Sequence, residues 1–177
     1  CPFADAWFTL DPWGLNGPQL PGNGFKGKMF AAVPQDYGRR DARNPKHQDT
    51  PHRDIVFLQR LITHNLTDQS SESAFSLKLS EDPRCVSTGN SGYGAFNVAY
   101  HLRPKKILLL GLDGDVGYYY TSSERNRPIT YLPKMFDSTK KQIEAANIEV
   151  VNGNPQSRIK TYRQMPVNKA LEWLDAD

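Results

Sequence analysis

The sequence predicts an α/β protein on a three-layer, mostly parallel, Rossmann-like sheet with long irregular loops. Three observations lead there. Lys106-Ile-Leu-Leu-Leu-Gly-Leu112 runs apolar without alternation, as a strand buried on both faces does. Before it, Ala95, Val98, Ala99 and Leu102 recur on one helix face, and Pro104 ends that helix. A second helix and strand follow. The C-terminal half thus alternates helix and strand, the pattern of parallel strands with right-handed crossovers.

The elements follow in chain order. Asp5 to Leu10 is strand-like, with aromatic and β-branched residues in Trp7-Phe8-Thr9. Asp11-Pro12-Trp13-Gly14 turns it, and Leu15 to Gly24, rich in Gly, Pro and Asn, is loop. Lys28 to Val33 is a second strand. Gln35 to Arg53 is polar, with Pro45 and Pro51, and reads as an exposed loop. Its basic group, Arg39, Arg40, Arg43 and Lys46, reads as a solvated face. Asp54 to His64 has apolar residues at helical spacing, yet Ile55-Val56-Phe57-Leu58 fits a short strand equally well. Thr67 to Ser73 is loop and Phe75 to Leu79 an edge strand. Arg84 to Ser87 leads into a Gly-rich turn, and the helix after it begins near Tyr93. Gly117 to Pro128 lacks any period and is loop. Met135, Phe136, Thr139, Ile143 and Ala146 mark a helix from Pro133 to Ala146. Ile148 to Asn152 is a strand, with a turn at Gly153 to Pro155. Pro166 stands at the first position of a terminal helix carrying Val167, Ala170, Leu171 and Leu174. Val86, Val98, Leu108 to Leu110, Ile148 and Val150 are expected to be buried in one parallel sheet with flanking helices.

Length and composition bound the class. The 177 residues, 38% hydrophobic and 23% charged, suit one globular α/β domain spanning 1–177. A strand so close to Cys1 leads us to expect a missing N-terminal βα unit or a processed product, with an uncovered sheet edge that invites homo-oligomers. A lipoprotein's mature cysteine is the other reading of Cys1. The net charge of +3 is too small to argue for nucleic acid. No apolar run approaches the roughly 20 residues of a membrane span, and no signal-peptide pattern is visible. Cys1 and Cys85 make no disulfide framework, which favours a reducing compartment, the cytoplasm.

The candidate chemistry begins at Ser87-Thr88-Gly89-Asn90-Ser91-Gly92-Tyr93-Gly94. A small, Gly-rich turn opens a helix there. Helix N-termini present free N–H groups and a partial positive charge, and glycines let phosphate approach them. Thr88, Gly89, Asn90, Ser91, Gly92 and Gly94 are therefore candidate nucleotide or phosphate ligands; a plain connecting turn is the alternative. The turn is neither G-x-G-x-x-G nor a P-loop. Asp113-Gly114-Asp115 closes the buried strand, where open α/β sheets bind ligands. Its D-x-D spacing suits a divalent ion, Mg²⁺ or Mn²⁺, held by Asp113 and Asp115; a solvated turn is the other reading. Asp113 could instead accept from a ribose or sugar hydroxyl. Tyr118, Tyr119 and Tyr120 with Arg125 and Arg127 either cover the site or pack as an ordinary surface loop. The expected pocket is bounded by Thr88–Gly94 and Asp113–Tyr120. Asp113, Asp115 and Tyr119 are the catalytic candidates. No zinc spacing, nucleophile elbow or Cys85 partner is visible.

Three blocks carry a resemblance. Ala4-Asp5-Ala6-Trp7-Phe8-Thr9-Leu10-Asp11 looks like the A-D-x-x-F-x-x-D strand of a group of phage and bacterial proteins. Gly89-Asn90-Ser91-Gly92, Ala99-Tyr100 and Lys106 to Asp113 resemble their second block. Ile148 to Asn152 with Pro155 and Ser157 resembles their third. That group is similar to bacterial sialyltransferases, which transfer sialic acid from a CMP donor on a Rossmann-like fold without a metal. The resemblance implies a phage-encoded protein in the host cytoplasm. It places Thr88, Gly89, Asn90, Ser91 and Gly92 in a donor-nucleotide loop, with Asp113 beside it. Two departures stand out. The family's opening strand and G-x-G-x-S turn do not precede Cys1. Its catalytic histidine, from the loop after the Asp113-type strand, has no counterpart between Gly117 and Pro128. The implied function is a nucleotide-sugar-dependent glycosyltransferase. The alternative is a non-catalytic protein that keeps a nucleotide pocket. The acceptor is not legible under either.

Overall fold

The computed structural model describes residues 5–10, 25–33, 55–61, 78–87, 89–114 and 131–176. The chain divides into two compact units, one of Cys1–Ser76 with Ser80–Val98, the other of Leu77–Leu79 with Ala99–Asp177.

The first unit carries a four-stranded sheet, β1 (Ala6–Thr9), β2 (Lys28–Val33), β3 (Ile55–Leu61) and β4 (Cys85–Ser87), in that spatial order. Every pairing is parallel, with Phe8 opposite Phe30 and Phe30 opposite Val56. Of the segment 54–64, whose structure the sequence left open, the described residues Ile55–Leu61 are strand. Its first residues, Ile55–Gln59, pair with β2 and its last, Gln59–Leu61, with β4, so each residue has a ladder on at least one side. One face of the sheet gathers Ala32, Leu58 and Val86, with Phe8, Leu10 and Phe30 against them. Val98 joins this cluster from α1 (Ser91–Leu102), the helix that follows β4.

Helix α1 begins at Ser91, earlier than expected, and buries a different face. Tyr93, Phe96, Asn97 and Tyr100 are buried. Val98 is buried as expected, but Ala95 is exposed and Leu102 is 66% exposed. The aromatic side chains at positions 93, 96 and 100 remove more apolar area from water than the alanines do. Helix α1 ends as Pro104 requires: Arg103 takes φ +51°, and its guanidinium lies 4.0 Å over the Tyr100 ring.

The second unit carries a separate three-stranded parallel sheet in the order β5 (Lys106–Leu109), β6 (Glu149–Asn152), β7 (Arg163–Gln164). The described strands thus form two sheets, not the single expected one. Strand β5 stops three residues early, and Leu110 is 56% exposed instead of buried. Its partner β6 runs out at Asn152, and Gly153 N–H closes the pair on Leu109 C=O at 2.9 Å. Ile148 and Val150 are buried as expected, while Leu108 is half-buried. The short β7 was not anticipated; two residues carry no periodicity.

The helix expected over 133–146 is two, α2 (Leu132–Asp137) and α3 (Lys140–Ala145). Ser138 and Thr139 hydroxyls donate to the carbonyls of Met135 and Phe136 at 2.6 and 2.7 Å. Such back-bonding competes with the helical ladder. Buried Thr139 also meets the Tyr162 hydroxyl at 2.6 Å. Helix α4 (Val167–Asp175) starts after Pro166, which serves as its N-cap residue. Ala170 of α4 packs with Val151 and Met165, against Leu108 and Trp173. Lys106 Nζ donates to the carbonyls of Trp173 and Ala176, placing a cation at the helix C-terminus. Gln142 pins the chain at Leu79 by donating to its C=O at 3.0 Å and accepting its N–H at 2.9 Å. Leu79 and Ser80 thus bond to the side chains of Gln142 and Asn97, and Lys78 and Leu79, the described part of the expected Phe75–Leu79 edge strand, are not strand; Phe75 to Leu77 lie outside the described residues.

Burial pushes the Tyr162 hydroxyl up to about 12 from its ordinary value of 10.0, the Thr139 hydrogen bond opposing that shift. A folded-state value above the unfolded one means the native protein holds this proton longer. Stability contributed by the neutral phenol is then complete below pH 10 and falls as pH rises from about 10 to about 12. Tyr162→Phe should flatten that slope, read from urea midpoints across the window. A parent and variant with parallel pH profiles would refute it.

Candidate functional site

In the first unit, the turn between β4 and α1 is set by two asparagines. Asn90 caps the helix: its Oδ1 accepts the Gly92 N–H at 2.8 Å, and its C=O accepts that of Gly94 at 3.0 Å. Two of the N–H donors expected for phosphate, those of Gly92 and Gly94, are thus taken by Asn90. The N–H of Ser91 has no partner among the described residues. Gly89 sits at φ +140°, a conformation that a side chain would resist. Asn97, fully buried one and a half turns into α1, holds the other end of the turn. Its Oδ1 accepts the N–H groups of Ser80 and Ser87, each at 2.8 Å, and its amide donates to Ser80 C=O at 3.2 Å. Gly94 faces the strands: a Cβ there would lie 2.7 Å from the Phe8 ring and 3.2 Å from Leu10. Packing alone accounts for its lack of a side chain.

In the second unit, Leu112 and Asp113 follow β5 and are tied to the segment after β6. Asn154 Nδ2 donates to Asp113 Oδ1 at 2.6 Å. Asn154 is itself held twice, by its N–H to Asn152 Oδ1 at 3.0 Å and by its own Oδ1 accepting Gln156 N–H at 2.9 Å. The buried Ser157 hydroxyl reaches Leu112 C=O at 2.9 Å and takes the Asn152 amide at 3.0 Å. Arg158 N–H reaches Asp113 C=O at 2.8 Å. Gly114, at φ +73°, turns the chain beside Pro133 and Ile159. Two strands running parallel therefore deliver a partly buried carboxylate and a buried amide–hydroxyl network just beyond their C-terminal ends.

Thr88, Asp115, Tyr118, Tyr119, Tyr120, Arg125 and Arg127 lie outside the described residues. The expected pocket draws on both units, so each half is described by itself. Of the proposed metal pair only Asp113 is described, and its Oδ1 already accepts an N–H. Among the described residues no three His, Cys, Asp or Glu side chains gather as metal ligands. Cys85 is buried, and burial pushes its thiol up, away from the thiolate a nucleophile needs.

Sequence reasoning missed Asn97, Asn152 and Asn154 as site-shaping residues. A signal existed for the last two. Asn152-Gly153-Asn154-Pro155 is dense in turn formers, and each Asn bonds the backbone two residues on, as turn-forming Asn does. Asn97 offered none, because its partners stand 17 and 10 residues away.

No protein-family model, no curated protein and no solved structure matches this chain. Among the described residues, no helix is long and apolar enough to cross a membrane.

Proposed function

We propose that this protein binds a nucleotide or nucleotide sugar and acts as a glycosyltransferase of sialyltransferase-like, three-layer Rossmann-like fold, encoded by a phage and working in the host cytoplasm. The observation that carries the reading is the unit β4, Gly89–Asn90 turn, α1. It joins a parallel strand to a twelve-residue helix through a glycine at positive φ, the arrangement that admits phosphate at a helix N-terminus. Gly89, Asn90 and Ser91 are the ligand residues proposed there, and Gly92, whose N–H Asn90 holds, leaves room for close backbone approach. Asp113, following a parallel strand, suits the carboxylate role of such folds. A second reading, a non-catalytic nucleotide-binding protein, is favoured by one fact: the sequence from Gly117 to Pro128 contains no histidine to serve as a base.

Thermal shift against CMP, UDP, GDP and their sugar conjugates tests binding. A ligand at about 100 times its Kd should stabilise the protein by roughly 2.7 kcal/mol. Gly92→Val should abolish the shift by blocking backbone approach while leaving the parent circular dichroism intact. Release of free sugar or transfer from a bound sugar nucleotide separates the enzyme from the binding protein. If no nucleotide shifts the melting curve, both readings fail.

A further inference from the structure

We propose that Asn152-Gly153 is a latent site of self-modification by asparagine deamidation, closed while the second unit is folded and open once it unfolds, and that the product is not accepted back into the fold. The proposal is independent of the nucleotide reading.

Asparagine before glycine is the pair most prone to this reaction, because glycine has no Cβ to obstruct its own nitrogen and leaves the backbone free to turn. The Gly153 nitrogen gives up its proton and bonds to Asn152 Cγ. The Cγ–Nδ2 bond breaks, and the side-chain nitrogen leaves as ammonia, carrying that proton. Water then opens the cyclic succinimide at either carbonyl, leaving aspartate or isoaspartate at position 152. Water is the co-reactant, and no oxidant or reductant is needed. Asn154 is silent by contrast, because Pro155 has no N–H to give.

The fold holds the reacting atoms apart. Asn152 ends β6, paired with Leu109 of β5 on one side and Gln164 of β7 on the other. A strand's extended backbone turns the next nitrogen away from the side chain, whereas ring closure needs that nitrogen beside Cγ. The Gly153 N–H is donated to Leu109 C=O at 2.9 Å, which holds its proton. The Asn152 amide is fixed at both ends: Oδ1 accepts the Asn154 N–H at 3.0 Å, and Nδ2 donates to Ser157 Oγ at 3.0 Å. At 1% exposure the residue is shut off from the water that the second step consumes. The same contacts reject the product. A carboxylate oxygen in place of Nδ2 would face Leu112 C=O, now 3.4 Å from that nitrogen. The Ser157 hydroxyl could turn to it only by giving up Leu112 C=O. Burying a charge at such a site is costly. Isoaspartate adds a carbon to the backbone and carries Gly153 off its partner on β5.

Peptide mapping of the full chain, aged at mildly alkaline pH with and without denaturing guanidinium chloride, reads the reaction. The tryptic peptide from Gln142 to Arg158 carries Asn152 before its only glycine. In denaturant that peptide should convert to its aspartate and isoaspartate forms. In the native chain it should convert more slowly by about a hundredfold or more, because reaction waits for the strand end to open. Ser157→Ala releases the Asn152 amide and should speed the native reaction by about tenfold while leaving the denatured rate unchanged. On return to buffer, unreacted chains should regain the starting circular dichroism and reacted chains should not. Asn152→Asp, which encodes one product directly, should melt well below the parent or fail to fold. Four results would each overturn the proposal: no conversion in denaturant; native and denatured rates within about threefold of each other; an unaltered native rate in Ser157→Ala; or reacted chains or Asn152→Asp that fold with the parent's melting curve.

Discussion

Asn97→Leu is expected to lower the stability of the fold by about 3 kcal/mol or more, the largest single effect anticipated here. Asn97 is fully buried, and its carbonyl oxygen accepts two backbone N–H groups, those of Ser80 and Ser87. Leucine removes the one oxygen that accepts both and leaves two buried donors without hydrogen bonds, each costing about 1–3 kcal/mol. The Ser80 carbonyl loses its donor as well. The added apolar area offsets only part of this, since fully burying a leucine side chain contributes about 1.5–3 kcal/mol where space allows. Against a typical stability of about 5–15 kcal/mol, the loss is severe. The effect should reach the site, because Ser87 is the last residue of β4 before the Gly-rich turn. Urea denaturation gives the stability change. Hydrogen exchange at Ser87 should show its amide losing protection first. An Asn97→Leu protein within 0.5 kcal/mol of the parent would show that the three hydrogen bonds are dispensable.

Gly94→Val should cost about 3 kcal/mol, and Gly94→Ala about 1. Two effects oppose each other at this position. In a helix interior, glycine is about 1 kcal/mol worse than alanine, so added side chain favours the helix. The new Cβ, however, would stand 2.7 and 2.8 Å from two atoms of the Phe8 ring. Phe8 packs against the cluster of Ala32, Leu58, Val86 and Val98, so the ring cannot swing aside without opening a gap there. Overpacking of that kind typically costs about 1–3 kcal/mol, which exceeds the helix gain. Valine adds two methyl groups and a restricted χ1 to the same overlap. A double-mutant cycle with Phe8→Ala isolates the contact: the valine should be far less harmful once the ring is gone. Strict additivity of the two changes would reject the packing account.

Much of the secondary structure was legible in the amino-acid order because it is decided locally. Lys28–Val33 is strand over its expected span, and β1 and β6 fall inside theirs. Their β-branched and aromatic residues favour an extended chain whatever surrounds them. Parallel pairing was legible as well, because an unbroken apolar run between helices has few other homes. Asp113 and the Gly-rich turn were legible as candidates, and the structure places them after β5 and before α1. Three things were left to the tertiary structure. The ambiguous segment at Ile55–Leu61 became strand because β2 pairs with its first five residues and β4 with its last three. The buried face of α1 was decided by Tyr93, Phe96 and Tyr100, whose combined area outweighs the small residues at helical spacing. The break between α2 and α3 came from the hydroxyls of Ser138 and Thr139, the latter drawn inward by Tyr162 from 23 residues away. Local preference is written in adjacent residues and survives without context. Helix faces and hydrogen-bond partners such as those of Asn97 and Asn154 are set by which distant segments meet, and the energy that chooses them exists only once the chain has folded.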